Sequence, residues 1–422
     1  PCLEITVDLA SQETQGPPVR LRKLISWGVI GQATYILSQF IVLLALARLS
    51  TVEAVGAFGL ASAISLPIVF FFNLGLRINW ATDIEEEYNF SDFLMLRTIA
   101  CLLGYALIVV IGILFLEGLT LSLLLVFGLA KTIELYCDFF YGVFQRVDAM
   151  QLVARSQITR GILSSVGFGA VLYQSGSVPA AFFVQLVVWT IVAFLLDLPK
   201  AKSLAEREWK PLRVNWENIF LLARTSLPLG VNGGLAAVQS NIPRYAISFW
   251  LGLTAVGHFT VVSYAMQAMN MLFHSVSSSV QSRMGVYISK GQRAAFYRSL
   301  TKLTIMSSVN GIAASVIGFI FGDMLLTIFF GQEYDGFGAV LGALLIASTV
   351  HAILLFLQVC ILANRQFYSF MVVRMIFLVV MLVTCATAAA IGDLIAVSIA
   401  IIITFVLQAF VHFALVRKIS FP

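Results

Sequence analysis

The chain has 422 residues, a formal net charge of +5 and a mean hydropathy of +0.95, with 60% hydrophobic and only 11% charged residues. Apolar runs of spanning length fill most of it, which describes a polytopic α-helical membrane protein and excludes a soluble catalytic domain. The longest polar stretches, 1–23 and 197–217, are too short to bury a core, and the basic residues lie in loops beside apolar helices, so the positive charge is not a nucleic-acid signal.

Residues 1–23 read as a cytoplasmic tail, since 1–19 lack the basic-then-apolar order of a signal peptide. Twelve spans follow, at about 24–47, 54–78, 94–116, 120–145, 150–173, 178–196, 217–249, 254–282, 297–321, 336–363, 367–391 and 394–416. The expected fold is all-α: a six-helix unit over 24–196, a cytoplasmic linker over 197–216, and a second six-helix unit over 217–422. Cys101, Cys137, Cys360 and Cys385 sit in apolar spans and Cys2 is alone near the start, so neither a disulfide framework nor a metal spacing appears. With the amino terminus inside, 23 of the 26 Lys and Arg residues fall in cytoplasmic segments or the adjoining helix ends, Arg97, Arg160 and Arg374 among them. The opposite orientation reverses the bias that sets topology, so both termini are expected inside.

The halves repeat. Ala54-Val55-Gly56-Ala57-Phe58 matches Ala255-Val256-Gly257-His258-Phe259 at an offset of 201. Gln145-Arg146 with Arg155 matches Asn364-Arg365 with Arg374 at an offset of 219, the extra 18 residues being expected in longer loops of the second half. Six spans per repeat give both halves one orientation, so the pseudo-symmetry axis runs along the membrane normal, as in two bundles flanking a central cavity.

In chain order, Gln32 and Gln39 share a face of the first helix, and Arg48 ends it, either guiding substrate at the outer mouth or as a solvated interface charge. Asp83 and Glu85–Glu87 form an acidic loop. The fourth helix carries Lys131, Glu134 and Asp138 on one stripe. Glu134 and Asp138 either share a proton that drives transport, since like charges raise one carboxyl pKa, or Lys131 and Glu134 form a structural ion pair. Arg146 and Arg155, with Arg365 and Arg374, either hold a cytoplasmic gate or mark topology near anionic lipid. The seventh span is the most polar: Asn232, Gln239, Ser240, Asn241, Pro243 and Arg244 interrupt it. Pro243 is expected to remove one helical hydrogen bond and kink the helix, with a second bend at Pro228, which a membrane tolerates where protein or water satisfies the freed carbonyl. Arg244 either binds phosphate or carboxylate from a cavity wall or snorkels to the outer interface. The neighbouring amides and hydroxyls bond sugar hydroxyls or adjacent helices. His351 in the tenth span has a proton or sugar role, or is hydrogen-bonded to a neighbour.

The run Asn241-Ile-Pro-Arg244-Tyr245, then Leu251-Gly252 and Val256-Gly257-His258-Phe259, resembles the Wzx-type O-antigen flippases of the multidrug, oligosaccharidyl-lipid and polysaccharide exporter superfamily, over essentially the whole membrane region. The resemblance implies a V-shaped pair of bundles around a cationic cavity in a bacterial inner membrane. It implies export of a polyprenyl-diphosphate-linked oligosaccharide to the periplasmic leaflet by alternating access, coupled to protons or sodium. Arg244, Asn241, Ser240, Asn232, Lys131, Arg48 and Gln39 would meet substrate; Glu134, Asp138 and His351 would carry the coupling ion; Arg146, Arg155, Arg365, Arg374 and Pro243 would serve gating. Polymerase and glycosyltransferase partners are expected, with no cofactor, metal or nucleic acid. The alternatives are a multidrug and toxin extrusion exporter, to which Glu134 and Asp138 would be suited, and a membrane-embedded sugar polymerase, which the short outer loops disfavour.

Overall fold

A computed structural model describes residues 18–82, 88–208, 215–364 and 366–419. The tail before residue 18, the acidic run 83–87 and Arg365 lie outside the described residues. Helices α1 (Pro18–Leu49), α2 (Val52–Asn73), α3 (Leu76–Thr82), α4 (Phe90–Phe115), α5 (Gly118–Arg146), α6 (Met150–Ser175), α7 (Val178–Ile191) and α8 (Leu198–Glu208) build the first half. A π-helical turn, Val192–Asp197, joins α7 to α8, so the sixth span continues through most of the stretch expected to be a linker. The second half holds α9 (Trp216–Trp250), α10 (Gly252–Ser289), α11 (Arg293–Phe330), α12 (Gly338–Ala363), α13 (Phe367–Ile391) and α14 (Leu394–Arg417).

The predicted twelve spans are these helices, α7 and α8 counting as one and α3 lying short of a span. No strand occurs among the described residues. Ten of the spans are apolar enough to cross a membrane by length and composition. The two others, α6 and α10, carry the polar residues that turn inward. Apolar side chains such as Leu102, Ile113, Val166 and Phe249 face outward, where lipid accepts them. Local chemistry fixes the helix starts. Thr51, Ser177, Asn215 and Asp393 each accept a hydrogen bond from the first turn of the helix they precede.

The seventh span is one helix, α9, with Pro228 and Pro243 inside it. One expectation is corrected: the extra length of the second half lies in helices rather than loops. Helices α10 and α11 have 38 residues each, joined across Lys290–Gln292, against 22 and 26 in α2 and α4.

The repeat is visible in packing. In the first half α1 packs on α6, α2 on α5, and α7 on α5 and α6; in the second, α9 packs on α13, α10 on α12, and α14 on α12 and α13. Hydrogen bonds repeat as well. Gln157 donates to Gln32 at 3.0 Å, and Arg374 donates to Asn232 at 2.6 Å; Gln32 and Asn232 are 200 residues apart. Gln185 approaches Gln39 at 3.5 Å and Gln239 donates to Gln408 at 3.0 Å, again with first-helix members 200 apart. The counterpart of Arg374 is therefore the buried Gln157, not Arg155, which is exposed on a different face of α6.

The halves join where the matching segments of α2 and α10 cross. A Cβ on Gly56 would stand 1.9 Å from the Leu253 carbonyl oxygen, and one on Gly257 would stand 2.2 Å from that of Val52. The two contacts are images of each other at the offset of 201, so the pseudo-axis passes between them. On the same axis the Thr254 hydroxyl donates to Glu53 at 2.9 Å, and Gly59 meets the Thr260 hydroxyl. Small residues let backbones approach this closely in a membrane, where dispersion rather than hydrophobicity holds helices together.

Away from this crossing the symmetry fails. Toward the face where α1 begins, here the proximal face, α2 stays on α9: Gly230 and Gly234 fit against Phe71, and Asn79 donates to Ser226 at 2.8 Å. The mirrored pair, α1 and α10, has no seam of that kind. Val29, Ile30 and Leu37 on α1 are instead exposed. Toward the opposite, distal face α1 does reach the second half. Arg48 donates to the Phe329 carbonyl at 2.8 Å and also bonds that of Ile328, capping the end of α11. The chain is thus held together distally, with α1 and α10 apart proximally.

Ala in place of Gly56 is expected to lower the unfolding temperature, because inserting a methyl against backbone costs about 1–3 kcal/mol. Gly169 in α6 has nothing within 4 Å of a Cβ, so Gly169→Ala is expected to raise it by the helix-propensity gain alone, about 0.5–1 kcal/mol. Thermal melts of the two purified variants check the opposite signs.

Candidate functional site

Polar chemistry concentrates in three places, each built by one half or by the seam between them. Inside the first half, Glu134 on α5 accepts three donors: Lys131 at 2.8 Å, Arg160 of α6 at 3.1 Å, and the Tyr35 hydroxyl of α1. The Trp189 ring of α7 lies 5.0 Å from the Lys131 ammonium and 4.9 Å from the Arg160 guanidinium. Two cations share one carboxylate, so the cluster carries one excess positive charge. Lys131 keeps 15% of its side-chain surface open. The expected Glu134–Asp138 proton dyad does not form: Asp138 faces a separate set of donors, Arg77 and Asn73, both at 3.3 Å. An i,i+4 spacing leaves each carboxylate free to follow its own neighbours.

At the seam, Arg244 is buried and turned inward rather than snorkelling. It donates to Asn241 at 2.7 Å and to Ser263 of α10 at 3.2 Å, its Nε has no partner, and it forms no ion pair among the described residues. The neighbouring Tyr245 hydroxyl bonds the Ala63 carbonyl of α2. Ser240 and Asn241 bond the Ala237 carbonyl of their own helix at 3.0 and 2.8 Å, and the Ser240 residue is exposed.

In the second half His351 of α12 lies 6.1 Å from His274 of α10 and 4.9 Å from Phe405, ring to ring, and its Nδ1 has no partner. One turn away Ser348 donates to Asn270 at 2.8 Å. Asn232, proposed for sugar contact, receives Arg374.

The remaining residues expected at gates and mouths are not brought to one place. Arg146 stacks on Trp80 of α3 with its guanidinium 5.0 Å from the ring. Arg155 is exposed, Arg374 is buried between α13 and α9, and Arg48 is the distal tie already described. Arg160 went unnoticed as a site residue because a loop-proximal Arg reads as a topology signal; its wholly buried guanidinium belongs with Glu134. An apolar cleft separates α1 from α10 and α11, lined by Phe40, Val261, Tyr264, Leu326 and Phe329.

This architecture has solved relatives. The lipid II flippase MurJ in its inward closed conformation matches with a TM-score of 0.72 at 12% identity, covering 94% of this chain and 88% of that one. An inward-facing multidrug resistance MATE family transporter of the MOP superfamily matches with a TM-score of 0.66 at 15% identity, covering 92% and 97%.

The fold is that of the MOP-superfamily transporters. The all-helical fold expected from the sequence is borne out, and these structural relatives are a transporter and a flippase. Among curated proteins, the capsular polysaccharide biosynthesis protein CapF of Staphylococcus aureus is 24% identical over 304 residues, 71% of this chain and 74% of that protein. No protein-family model matches the chain.

Removing the shared carboxylate leaves two buried cations unpaired. Glu134→Ala is expected to cost about 3 kcal/mol or more, whereas Asp138→Ala, whose partner Arg77 is about a third exposed, is expected to cost about 1 kcal/mol or less. Chemical or thermal unfolding in one detergent checks the ranking.

Proposed function

We propose that the chain is a flippase that carries polyprenyl-diphosphate-linked oligosaccharide across a bacterial inner membrane for capsule, O-antigen or exopolysaccharide synthesis. The observation that supports this most is the uncompensated positive charge inside the fold. Arg244 has no counter-ion among the described residues, and Lys131 with Arg160 has only Glu134. A bare guanidinium is costly in hydrocarbon, and its cost is recovered when a diphosphate or acidic sugar supplies the missing oxygens, for which its planar fork is suited.

The other requirements of such cargo also have counterparts. The proximal gap between α1 and α10 offers a headgroup an entry from the side of the bilayer. The apolar cleft at Phe40, Tyr264 and Phe329 could take the start of a lipid tail. The half-buried Tyr35 offers an aromatic edge to sugars, together with Gln32, Gln39 and the exposed Ser240. In this reading the proximal face is cytoplasmic, as the basic residues indicate. Transport runs by rocking of the halves, 24–196 against 217–422, about the α2–α10 crossing, with Arg48 released when the distal side opens. The capsular relative supports the substrate class, and polymerase and glycosyltransferases are the expected partners. A multidrug cation exporter would share the fold, but the excess interior cations oppose an organic cation as cargo.

Reconstitution with a polyprenyl-diphosphate glycan tests the reading, with a glycosidase outside the vesicles counting the flipped headgroups. Arg244→Ala and Lys131→Ala are each expected to slow flipping about tenfold or more, the worth of one charge-assisted hydrogen bond. Arg244→Lys is expected to retain part of the rate. Flipping that is unchanged in both alanine variants would overturn it.

A further inference from the structure

One buried carboxylate takes no part in the site above. Asp197 is the last residue of the π-helical turn between α7 and α8 and is 3% exposed. Its hydrogen-bond donor is the Ser156 hydroxyl of α6 at 2.5 Å, and the Tyr141 hydroxyl of α5 stands 2.8 Å from that same Ser156 oxygen. Asp197 forms no ion pair among the described residues. The groups that face it are Ser156 and Arg160 from α6, Cys137 and Tyr141 from α5, and Lys200 on its own helix. A π-turn adds a residue to the helix and re-aims the side chains beyond it, and such turns recur at functional sites. Here it turns a carboxylate into the interior of the first half.

The second observation is on Arg160. This guanidinium is paired with Glu134 and acts electrostatically on Asp197. Its Nη2 is on Glu134, while Nε and Nη1 are buried with no partner. It rests over the Tyr35 and Tyr141 rings at 4.6 and 6.0 Å. An ionised Asp197 would attract those two free N–H groups and so pull the guanidinium against its bond to Glu134, and a protonated Asp197 would not. Removing a charge from a buried carboxylate relieves its desolvation cost, so the two states of Asp197 correspond to two placements of Arg160.

We propose that Asp197 is a proton-binding site of the first half, reached through the Tyr141–Ser156 hydroxyl pair, and that its charge decides whether Arg160 stays on Glu134. With the proton on Asp197, Arg160 and Lys131 stay tied to Glu134. With the proton lost to water, Arg160 is drawn toward Asp197, and Glu134 is left with Lys131 and Tyr35. The position of one guanidinium thereby links proton occupancy to the charge displayed in the first-half cluster. This deepens the transport reading, on which the use of the proton rests; the existence of the proton site does not depend on it.

The test is infrared difference spectroscopy of the full chain in lipid vesicles between mildly acidic and mildly alkaline buffer, in H2O and D2O. The proposal predicts a protonated-carboxyl stretch, sensitive to deuterium, that is lost in Asp197→Asn and kept in Asp138→Asn. Asp197→Glu keeps such a band at a displaced position, which separates loss of the carboxyl from loss of the fold. Ser156→Ala and Arg160→Gln keep the band and shift its titration midpoint. A set of pH-dependent carboxyl bands identical in wild type and Asp197→Asn would overturn the site. Retention of the midpoint in Arg160→Gln would overturn the link to Arg160. A normal band in a protein that flips no glycan would count against the transport reading and leave the proton site standing.

Discussion

The contact on which the rest of the molecule depends is the crossing of α2 and α10. Two glycines, 56 and 257, each lie under a carbonyl of the opposite helix, so neither helix can move closer or rotate without a clash. Because each contact is the image of the other, the two repeats touch symmetrically at this crossing. Distal to it Arg48 of α1 holds the end of α11 across the halves, while within the second half the His258 ring donates to the Glu333 carbonyl at 3.0 Å and stacks on Phe337 at 4.3 Å between ring centres. Everything proximal is unequal: α2 follows α9, and α1 leaves α10.

Charge placement follows from the cost of burial. Interior cations of this chain are met in different ways. Arg97 donates to the Phe72 carbonyl at the end of α2, where the helix dipole is negative. Arg374 takes both oxygens of Asn232, one from the backbone and one from the side chain. Lys131 and Arg160 divide one carboxylate. Arg244 is likewise held by neutral groups, an amide and a hydroxyl, in the helix with the most polar interruptions. Arg97, Arg160, Arg244 and Arg374 each keep at least one buried N–H without a partner, so unmet donors are spread through both halves.

Much of this was legible beforehand. Spanning runs, the basic-residue bias and the Val-Gly-x-Phe repeat specify helices, a common orientation for the halves and the place where they correspond. The repeat even lies at the contact itself, since glycines are retained where backbones touch. What could not be read was partnership. Glu134 and Asp138 share a stripe, yet α6 supplies Arg160 to one and α3 supplies Arg77 to the other, and no spacing within α5 foretells that. The pairing of Arg155 with Arg374 failed for a related reason: a two-residue error in offset turns a helix by about 200°, and only the hydrogen bond to the first helix reveals that Gln157 is the counterpart. The π-turn that aims Asp197 inward has no marker in the apolar run that forms it.

The central claim is that the interior selects anionic glycolipid by charge. Its most direct measurement is the thermal shift of the purified chain with a polyprenyl-diphosphate glycan and, separately, with a lipophilic organic cation. A ligand at a hundred times its dissociation constant stabilises the fold by about 2.7 kcal/mol. The account predicts a saturable rise in unfolding temperature with the diphosphate lipid that Arg244→Ala diminishes, and none with the cation. Stabilisation by the cation alone, or an equal response of wild type and Arg244→Ala to the diphosphate, would contradict it.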